Sequence, residues 1–574
     1  MIIRNSSGFM VSFQYLFSLL LLLNISCERS STHFLDNELS DIMGMQYPMV
    51  VNSSPKGRFV LLKKRCSNSF KLFVLNTNSS KYEEIDNSRF SQLSLTWHPN
   101  EKEIFFQKLN PEIKKYELFK IDIATNKKKK LDLPPSKNAI PPLKWSTQGE
   151  RLAYLADNNL YVVDYESLNI ELIIPNINDY SVFEWQSASV LYYVENPINP
   201  LIKRINVTTK QESTFNLPNI NEVKGFSING TKIIFSGRKQ PDQYFQGYEL
   251  NMKDGDVTKL VCSEYNISNV GYFKMDDSSY YYNRNENGIL KLTCSDSRIN
   301  VFFKNLSASY QHIEIDNDLG RCIFLKVGSF SYPNGILKIN LENLMIEKKF
   351  FPSKEDQLSL TKPEFVEIPN NYSKLKAPGY FWKSNTKKDV KKTIIYVHGG
   401  PYLQSTPMWK DRHKILTEYG FNVLVLNYHG SSGYSKTYSE TNDIWVQTLD
   451  IIGTIKWLKK SYDINENDII LMGSSYGGRI VLNTANYMEN LAGIVLISGV
   501  VDLYDISNDT SYLEEIKIYG FYGDLDSLSL NAELFFNKLT PSNSEHFVLF
   551  NDEGHQFHMT STWLFIYKYL IEKY

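Results

Sequence analysis

The chain has 574 residues, is 42% hydrophobic and 22% charged, and carries a formal net charge of -1. That length exceeds what one core can serve, so two or more domains are expected, and the composition is that of a globular chain rather than a disordered one. The near-zero charge, with no basic block longer than Lys127-Lys128-Lys129-Lys130, argues against nucleic acid as a partner.

At the N-terminus Arg4 precedes an apolar stretch, Phe13 to Leu23, which ends at Asn24-Ile25-Ser26-Cys27. About a dozen apolar residues are too few to span a bilayer as a mature helix, and they suit the core of an export signal over residues 1–27. The small residue before Cys27 resembles a bacterial lipoprotein cleavage site, with Cys27 as the lipidated residue. Asn24 departs from that pattern, and plain secretion is the alternative. The expected location is therefore periplasmic, membrane-anchored or secreted. Cys66, Cys262, Cys294 and Cys322 form no C-x-x-C pair, so no zinc site is expected. Export permits disulfides, and free thiols are the other outcome.

From residue 46 to 352 one pattern recurs. An aromatic or apolar residue near a polar turn is followed by a short β run, a second turn, a second β run and a charged stretch. The clearest copies start at Leu95-Thr96-Trp97, Leu143-Lys144-Trp145, Phe183-Glu184-Trp185 and Phe226-Ser227-Ile228; weaker ones start near Val51, Phe273 and Ile315. The spacing of about 40 to 48 residues is that of a four-stranded propeller blade, and seven starts imply about seven blades. Each blade exposes apolar faces that only its neighbours cover, so the ring folds as a unit. With 37 Tyr and 33 Phe in the chain, Trp97, Trp145 and Trp185 are read as packing residues between sheets.

From residue 353 to 574 strands and helices alternate. Strands are expected at Thr393 to Val397, Asn422 to Leu426, Asp468 to Met472, Gly493 to Ile497, Ile516 to Phe521 and Phe547 to Phe550. Helices are expected at Met408 to Tyr419, Ile444 to Lys460, Arg479 to Met488, Asn531 to Leu539 and Thr562 to Glu572. That alternation implies a mostly parallel sheet wound on both faces, an α/β fold whose ligands bind at the carboxyl ends of the strands.

The chemistry centres on Gly473-Ser474-Ser475-Tyr476-Gly477, which fits the G-x-S-x-G elbow between a strand and a helix. Residues two before and two after the serine lie too close for side chains, hence the glycines. The elbow holds the serine hydroxyl at the mouth of the sheet, and the next N–H, that of Tyr476, can face an oxyanion. A serine hydroxyl needs a base oriented by a carboxylate, in the chain order Ser, Asp/Glu, His for this fold. Downstream lie His546, His555 and His558. His546 starts its strand, at the wrong end of the sheet. His555 follows the strand, on the correct edge, and is the expected base. Gly523-Asp524-Leu525-Asp526 offers two acids, and both stay open on spacing alone. Val397-His398-Gly399-Gly400-Pro401 follows the first central strand, where Gly399 can supply a second oxyanion N–H; His398 is expected to shape that loop.

Together, His398-Gly399-Gly400-Pro401, Asn427-Tyr428-His429-Gly430-Ser431-Ser432-Gly433-Tyr434, Gly473-Ser474-Ser475-Tyr476-Gly477-Gly478, Gly523-Asp524-Leu525-Asp526 and Asp552-Glu553-Gly554-His555 resemble the prolyl oligopeptidase family of serine peptidases, including its dipeptidyl-peptidase-like and acylaminoacyl-peptidase-like members. The resemblance implies an N-terminal seven- or eight-bladed propeller that covers an α/β-hydrolase domain. It implies Ser475 as nucleophile, His555 as base and, as the last residue of a Gly-x-x-Asp step, Asp526 as the orienting acid. Two departures stand out. His429 occupies the place where the family usually has Arg. The stretch from Val500-Val501-Asp502 to the next strand is short, where family members commonly build one wall of the pocket for the residue before the scissile bond. Paired glutamates for a substrate amine find no match.

The expected activity is therefore that of a serine hydrolase cleaving short peptides through an acyl-enzyme, with no metal and no cofactor. An esterase with the same triad, and a non-catalytic propeller with a degenerate hydrolase domain, are the alternatives.

Overall fold

The computed structural model describes residues 49–574 apart from short breaks, the longest being 137–142, 351–359, 502–512 and 540–545, together with residues 2–4 and 10–12. The signal core at Phe13 to Leu23, Cys27 and the shortened stretch from Asp502 lie outside the described residues. The chain divides into two compact units. One is Tyr47–Ser329 with Pro333–Lys354, and the other is chiefly Glu355–Tyr574.

The first unit is a seven-bladed β-propeller. Among the described residues it contains seven sheets of consecutive antiparallel strands, six of them four-stranded. The blades run from Met49 to Ser88, Leu93 to Lys130, Leu143 to Ile174, Phe183 to Asn216, Glu222 to Val261, Asn266 to Cys294 and His312 to Phe350. The sixth has three strands, and the helix Ser297–Leu306 follows them. Asp296 caps that helix by accepting the Ile299 N–H at 2.8 Å. Phe273 falls just beyond the inner strand of this blade rather than at its start.

Apolar residues pack between neighbouring blades. Leu61 and Leu72 of blade one meet Trp97, Ile104 and Phe106 of blade two. Two tryptophans tie their blades to the one before: Trp97 Nε1 donates to Asn52 Oδ1 at 3.0 Å and Trp185 Nε1 to the Lys144 carbonyl at 2.9 Å. The ring closes without a shared strand. Asp316 of blade seven accepts the Ser53 N–H at 2.7 Å and its hydroxyl at 2.6 Å, and Val60 and Leu62 pack against Phe324, Ile336 and Phe350.

The second unit is a mixed, mostly parallel sheet flanked by helices. Its strands are β1 (Glu364–Ile368), β2 (Ala377–Trp382), β3 (Thr393–Val397), β4 (Asn422–Leu426), β5 (Ile469–Ser474), β6 (Gly493–Ile497), β7 (Ile518–Gly523) and β8 (Phe547–Phe550). Their spatial order is 1-2-4-3-5-6-7-8, with β1 and β2 antiparallel to their neighbours and the rest parallel. Two short strands, Ile2–Arg4 and Met10–Ser12, extend the sheet beyond β8 through the single pairing of Ile2 with Leu549. The helices are α1 (Asp411–Glu418), α2 (Ile444–Tyr462), α3 (Tyr476–Ala485), α4 (Ser529–Lys538) and α5 (Thr560–Lys573).

The parallel strands β3 to β8 are buried on both faces, which is why they read as apolar runs. Alternate residues of β5 serve opposite cores. Ile469 and Leu471 pack with Ile451, Ile455, Ile480 and Val481 of α2 and α3. Ile470 and Met472 pack with Ile415 and Leu416 of α1 and Ile566 and Leu570 of α5. Strands β1 and β2 were not anticipated from the sequence: Glu364 and Glu367 break the apolar run of β1, and Pro378 and Gly379 lie within β2. The antiparallel pairing of β2 with β4 supplies their order instead.

Candidate active site

Ser475 stands between the end of β5 and the first turn of α3, with φ 50° and ψ -123°. A non-glycine residue there stores about 1–3 kcal/mol of strain and persists only if its surroundings over-determine it. They do. Ser475 N–H donates to the Ile497 carbonyl of β6 at 3.1 Å, and its own carbonyl accepts from Val500 N–H at 2.8 Å and Gly478 N–H at 2.9 Å. Gly477 is required by contact, since a Cβ there would lie 2.2 Å from the Val397 carbonyl.

His555 lies in the loop after β8. Its Nε2 is 2.9 Å from Ser475 Oγ, and its Nδ1 is 3.1 and 3.2 Å from the two carboxylate oxygens of Asp526. Asp526 sits in the turn after β7, its side chain 1% exposed against 44% for His555. The same carboxylate accepts the Leu528 N–H at 3.0 Å. Asp524, two residues earlier, faces the Asp552 backbone, and burial raises its pKa. Of the two acids left open by spacing, Asp526 is the one at the imidazole. His546 lies outside the cluster, its ring 4.6 Å from that of Tyr519.

Glu553 holds this corner together and was given no role by sequence reasoning. It is fully buried, and its carboxylate accepts the His558 N–H at 2.7 Å and the Met559 N–H at 2.8 Å. Its carbonyl accepts the Leu525 N–H at 3.0 Å. One residue thereby joins the His555 loop, the Asp526 turn and the start of α5. Burial raises its carboxyl pKa, against the pull of those N–H donors.

The loop after β3 runs alongside the serine. A Cβ on Gly399 would come within 2.8 Å of Ser475 Cβ and 3.5 Å of its Oγ, so only glycine lets the backbone pass here. Tyr476 opens α3, where first-turn N–H groups have no acceptor within the helix. His398 is buried. Its Nδ1 donates to the Gly399 carbonyl at 2.7 Å, its Nε2 meets Ser431 Oγ at 2.9 Å, and its ring stacks on Tyr428 at 4.5 Å. Burial lowers its pKa to about 4, so it stays neutral. These contacts make His398 a brace of the loop.

A second histidine–aspartate pair lies behind the elbow. His429 Nδ1 is 2.9 Å from Asp450 Oδ2, and the His429 N–H donates to the same oxygen at 2.7 Å. Asn370 Nδ2 donates to Asp450 Oδ1 at 2.6 Å. On the same face of α2, Gln447 accepts the Tyr476 hydroxyl at 2.8 Å and donates to the His429 carbonyl at 3.0 Å. Asp450 and Gln447 were not singled out from the sequence. The available signal was their spacing: Gln447, Asp450, Ile451 and Thr454 occupy the i, i+3, i+4, i+7 stripe that a helix buries.

The chain thus joins a seven-bladed propeller to a mostly parallel α/β domain of α/β-hydrolase type, in which serine, histidine and aspartate stand in hydrogen-bonded sequence at the strand ends. Residues 407–560 match the prolyl oligopeptidase family. The chain is similar to dipeptidyl aminopeptidase BIII of Pseudoxanthomonas mexicana, 29% identical over 129 residues, which are 22% of this chain and 18% of that protein. It is also similar to the acylamino-acid-releasing enzyme of Homo sapiens, 25% identical over 149 residues, 25% of this chain and 20% of that one. The matched segments thus span about a fifth of the length of these relatives. Among solved structures, a puromycin-hydrolyzing peptidase of Mycobacterium tuberculosis superposes with a TM-score of 0.70 at 12% identity, covering 93% of this chain and 95% of that one. At such identity the superposition shows the shared fold alone.

Proposed function

We propose that this protein is a serine peptidase that cleaves short peptides through an acyl-enzyme. The observation that carries the reading is the hydrogen-bonded row Ser475–His555–Asp526 at the carboxyl ends of β5, β8 and β7. His555 Nε2 takes the proton of Ser475 Oγ as that oxygen attacks the peptide carbonyl. Asp526 holds Nδ1–H and favours the imidazolium that forms. The N–H groups of Tyr476 and Gly399 receive the developing oxyanion. The imidazolium then protonates the leaving amine, and a water activated by the same nitrogen hydrolyses the acyl-serine.

The relatives named above support peptides as the substrate class. Labelling by a fluorophosphonate probe tests the nucleophile, and a panel of peptide amides set beside simple esters tests the substrate class. Loss of labelling in Ser475→Ala with peptide turnover in the parent is the expected result. Labelling that survives the substitution, or turnover of esters alone, rejects the proposal.

We further propose export, with Cys27 as a lipid anchor, on the apolar stretch Phe13 to Leu23 and the small residue before Cys27. Cleavage before Cys27 would also remove the two short strands that pair beyond β8. Membrane fractionation of Cys27→Ala checks the anchor: release supports it, and unchanged fractionation rejects it.

A further inference from the structure

We infer that Gln447 is a positioning residue that sets substrate discrimination, by fixing the Tyr476 ring beside the nucleophile through the tyrosine hydroxyl. The inference rests on the peptidase reading above and adds a residue to it.

Tyr476 directly follows Ser475 and is half-buried, so part of its side chain stays open to solvent one peptide unit from the nucleophile. A side chain in that position contacts whatever flanks the scissile bond. The Tyr428 ring, 6.4 Å away, backs it on one side. A half-exposed phenol can still change between staggered rotamers, and the hydroxyl contact favours one of them. The hydroxyl donates to Gln447 Oε1 at 2.8 Å.

Gln447 cannot move to follow it. The residue is 0% exposed, and its Nε2 donates to the His429 carbonyl at 3.0 Å. Gly430 lies against the same amide: a Cβ there would come 3.0 Å from Nε2. His429 is pinned through both its main chain and its ring to Asp450, which Asn370 also holds. A polar side chain wholly inside a helix–sheet interface costs stability unless every bond is made. This one makes its bonds in a line that starts at Asp450 and ends at the residue next to the nucleophile. Tyr428, from the same segment as His429, also donates to the His398 carbonyl at 3.1 Å, so the neighbouring Gly399 loop is braced from the same place.

The test is a double-mutant cycle of Gln447→Met, close to glutamine in shape, with Tyr476→Phe. The assay uses two peptide p-nitroanilides that differ only in alanine or phenylalanine before the scissile bond. Each single variant is expected to change the ratio of their kcat/KM values by about tenfold, mainly through KM, and the double variant by no more than the larger single effect. Additive changes, or an unchanged ratio in Tyr476→Phe, overturn the inference. If Gln447→Met fails to fold, Tyr476→Phe alone decides by its ratio.

The same cycle read in thermal unfolding is independent of turnover. Coupled losses are expected, and additive ones overturn the tie itself. A parent that takes no fluorophosphonate label defeats the peptidase reading, whereas a labelled and active parent with additive variants defeats only the role of Gln447.

Discussion

Among its described residues the α/β domain contains two histidine–aspartate pairs of nearly the same geometry and opposite exposure. In one, His555 Nδ1 faces Asp526 at 3.1 Å, the ring is 44% exposed, and Nε2 reaches Ser475. In the other, His429 Nδ1 faces Asp450 at 2.9 Å, the ring is 2% exposed, and Nε2 is buried with no hydrogen-bond partner among the described residues. Orientation by a carboxylate is common to both. What separates a base from a strut is the other nitrogen: a base needs a nucleophile within reach and a path for substrate. His429 is buried, and its pair ties α2 to the Asn427-Tyr428-His429 segment.

The largest effect expected is from Ser475→Ala, which should leave the fold intact and lower peptide turnover by about three or more orders of magnitude. A variant as active as the parent on an activated ester would erase the contrast between the two pairs.

Next comes the acid. Asp526→Asn should lower kcat by about two to three orders of magnitude, because an amide no longer favours the required tautomer. Asp524→Asn, in the same turn, should cost less than about tenfold, since its carboxyl faces Asp552 and not the imidazole. Steady-state kinetics on one peptide decides between them, and the reverse ranking would reassign the acid.

The matching change in the buried pair should act on stability instead. Asp450→Asn disturbs acceptors for the His429 N–H, the His429 ring and the Asn370 amide, and should cost about 3 kcal/mol of folding free energy. Denaturant unfolding measures it. A loss of turnover as large as that of Asp526→Asn, with stability unchanged, would mean that the buried pair takes part in chemistry.

The smallest effect concerns His398. Burial lowers its pKa from the ordinary 6.5 to about 4, so the unfolded chain binds a proton over that window that the folded chain refuses. Its contribution to stability is therefore complete above pH 6.5 and is lost as pH falls toward 4, by at most about 3 kcal/mol. His398→Gln should flatten the fall of the unfolding midpoint between those two pH values. An equal slope in parent and variant would remove His398 from the acid response.

Much of this was legible in the chain because it depends on local rules. The elbow is readable since Gly473, Ser475 and Gly477 answer to a single strand-to-helix turn, and β3, β4, β6 and β8 are readable as apolar runs buried on two faces. The chain order of Ser475, acid and His555 follows from the order of β5, β7 and β8 in a parallel sheet. The propeller was legible through its repeat. Its closure was not, because the Ser53–Asp316 contact joins residues 263 apart.

Tertiary structure alone decided the rest. Asp524 and Asp526 are equivalent by composition and spacing, and the path of the turn, set by the Leu525 N–H on the Glu553 carbonyl, selects which carboxylate meets the imidazole. His429 in place of arginine reads as a departure until Asp450 arrives from α2 to meet it. Gln447 is one polar residue in an apolar helix stripe until the sheet brings Tyr476 to its amide. Hydrogen bonds between distant segments carry no periodicity. Which polar groups pair is settled by where burial leaves them facing one another, and that is known only when the chain is folded.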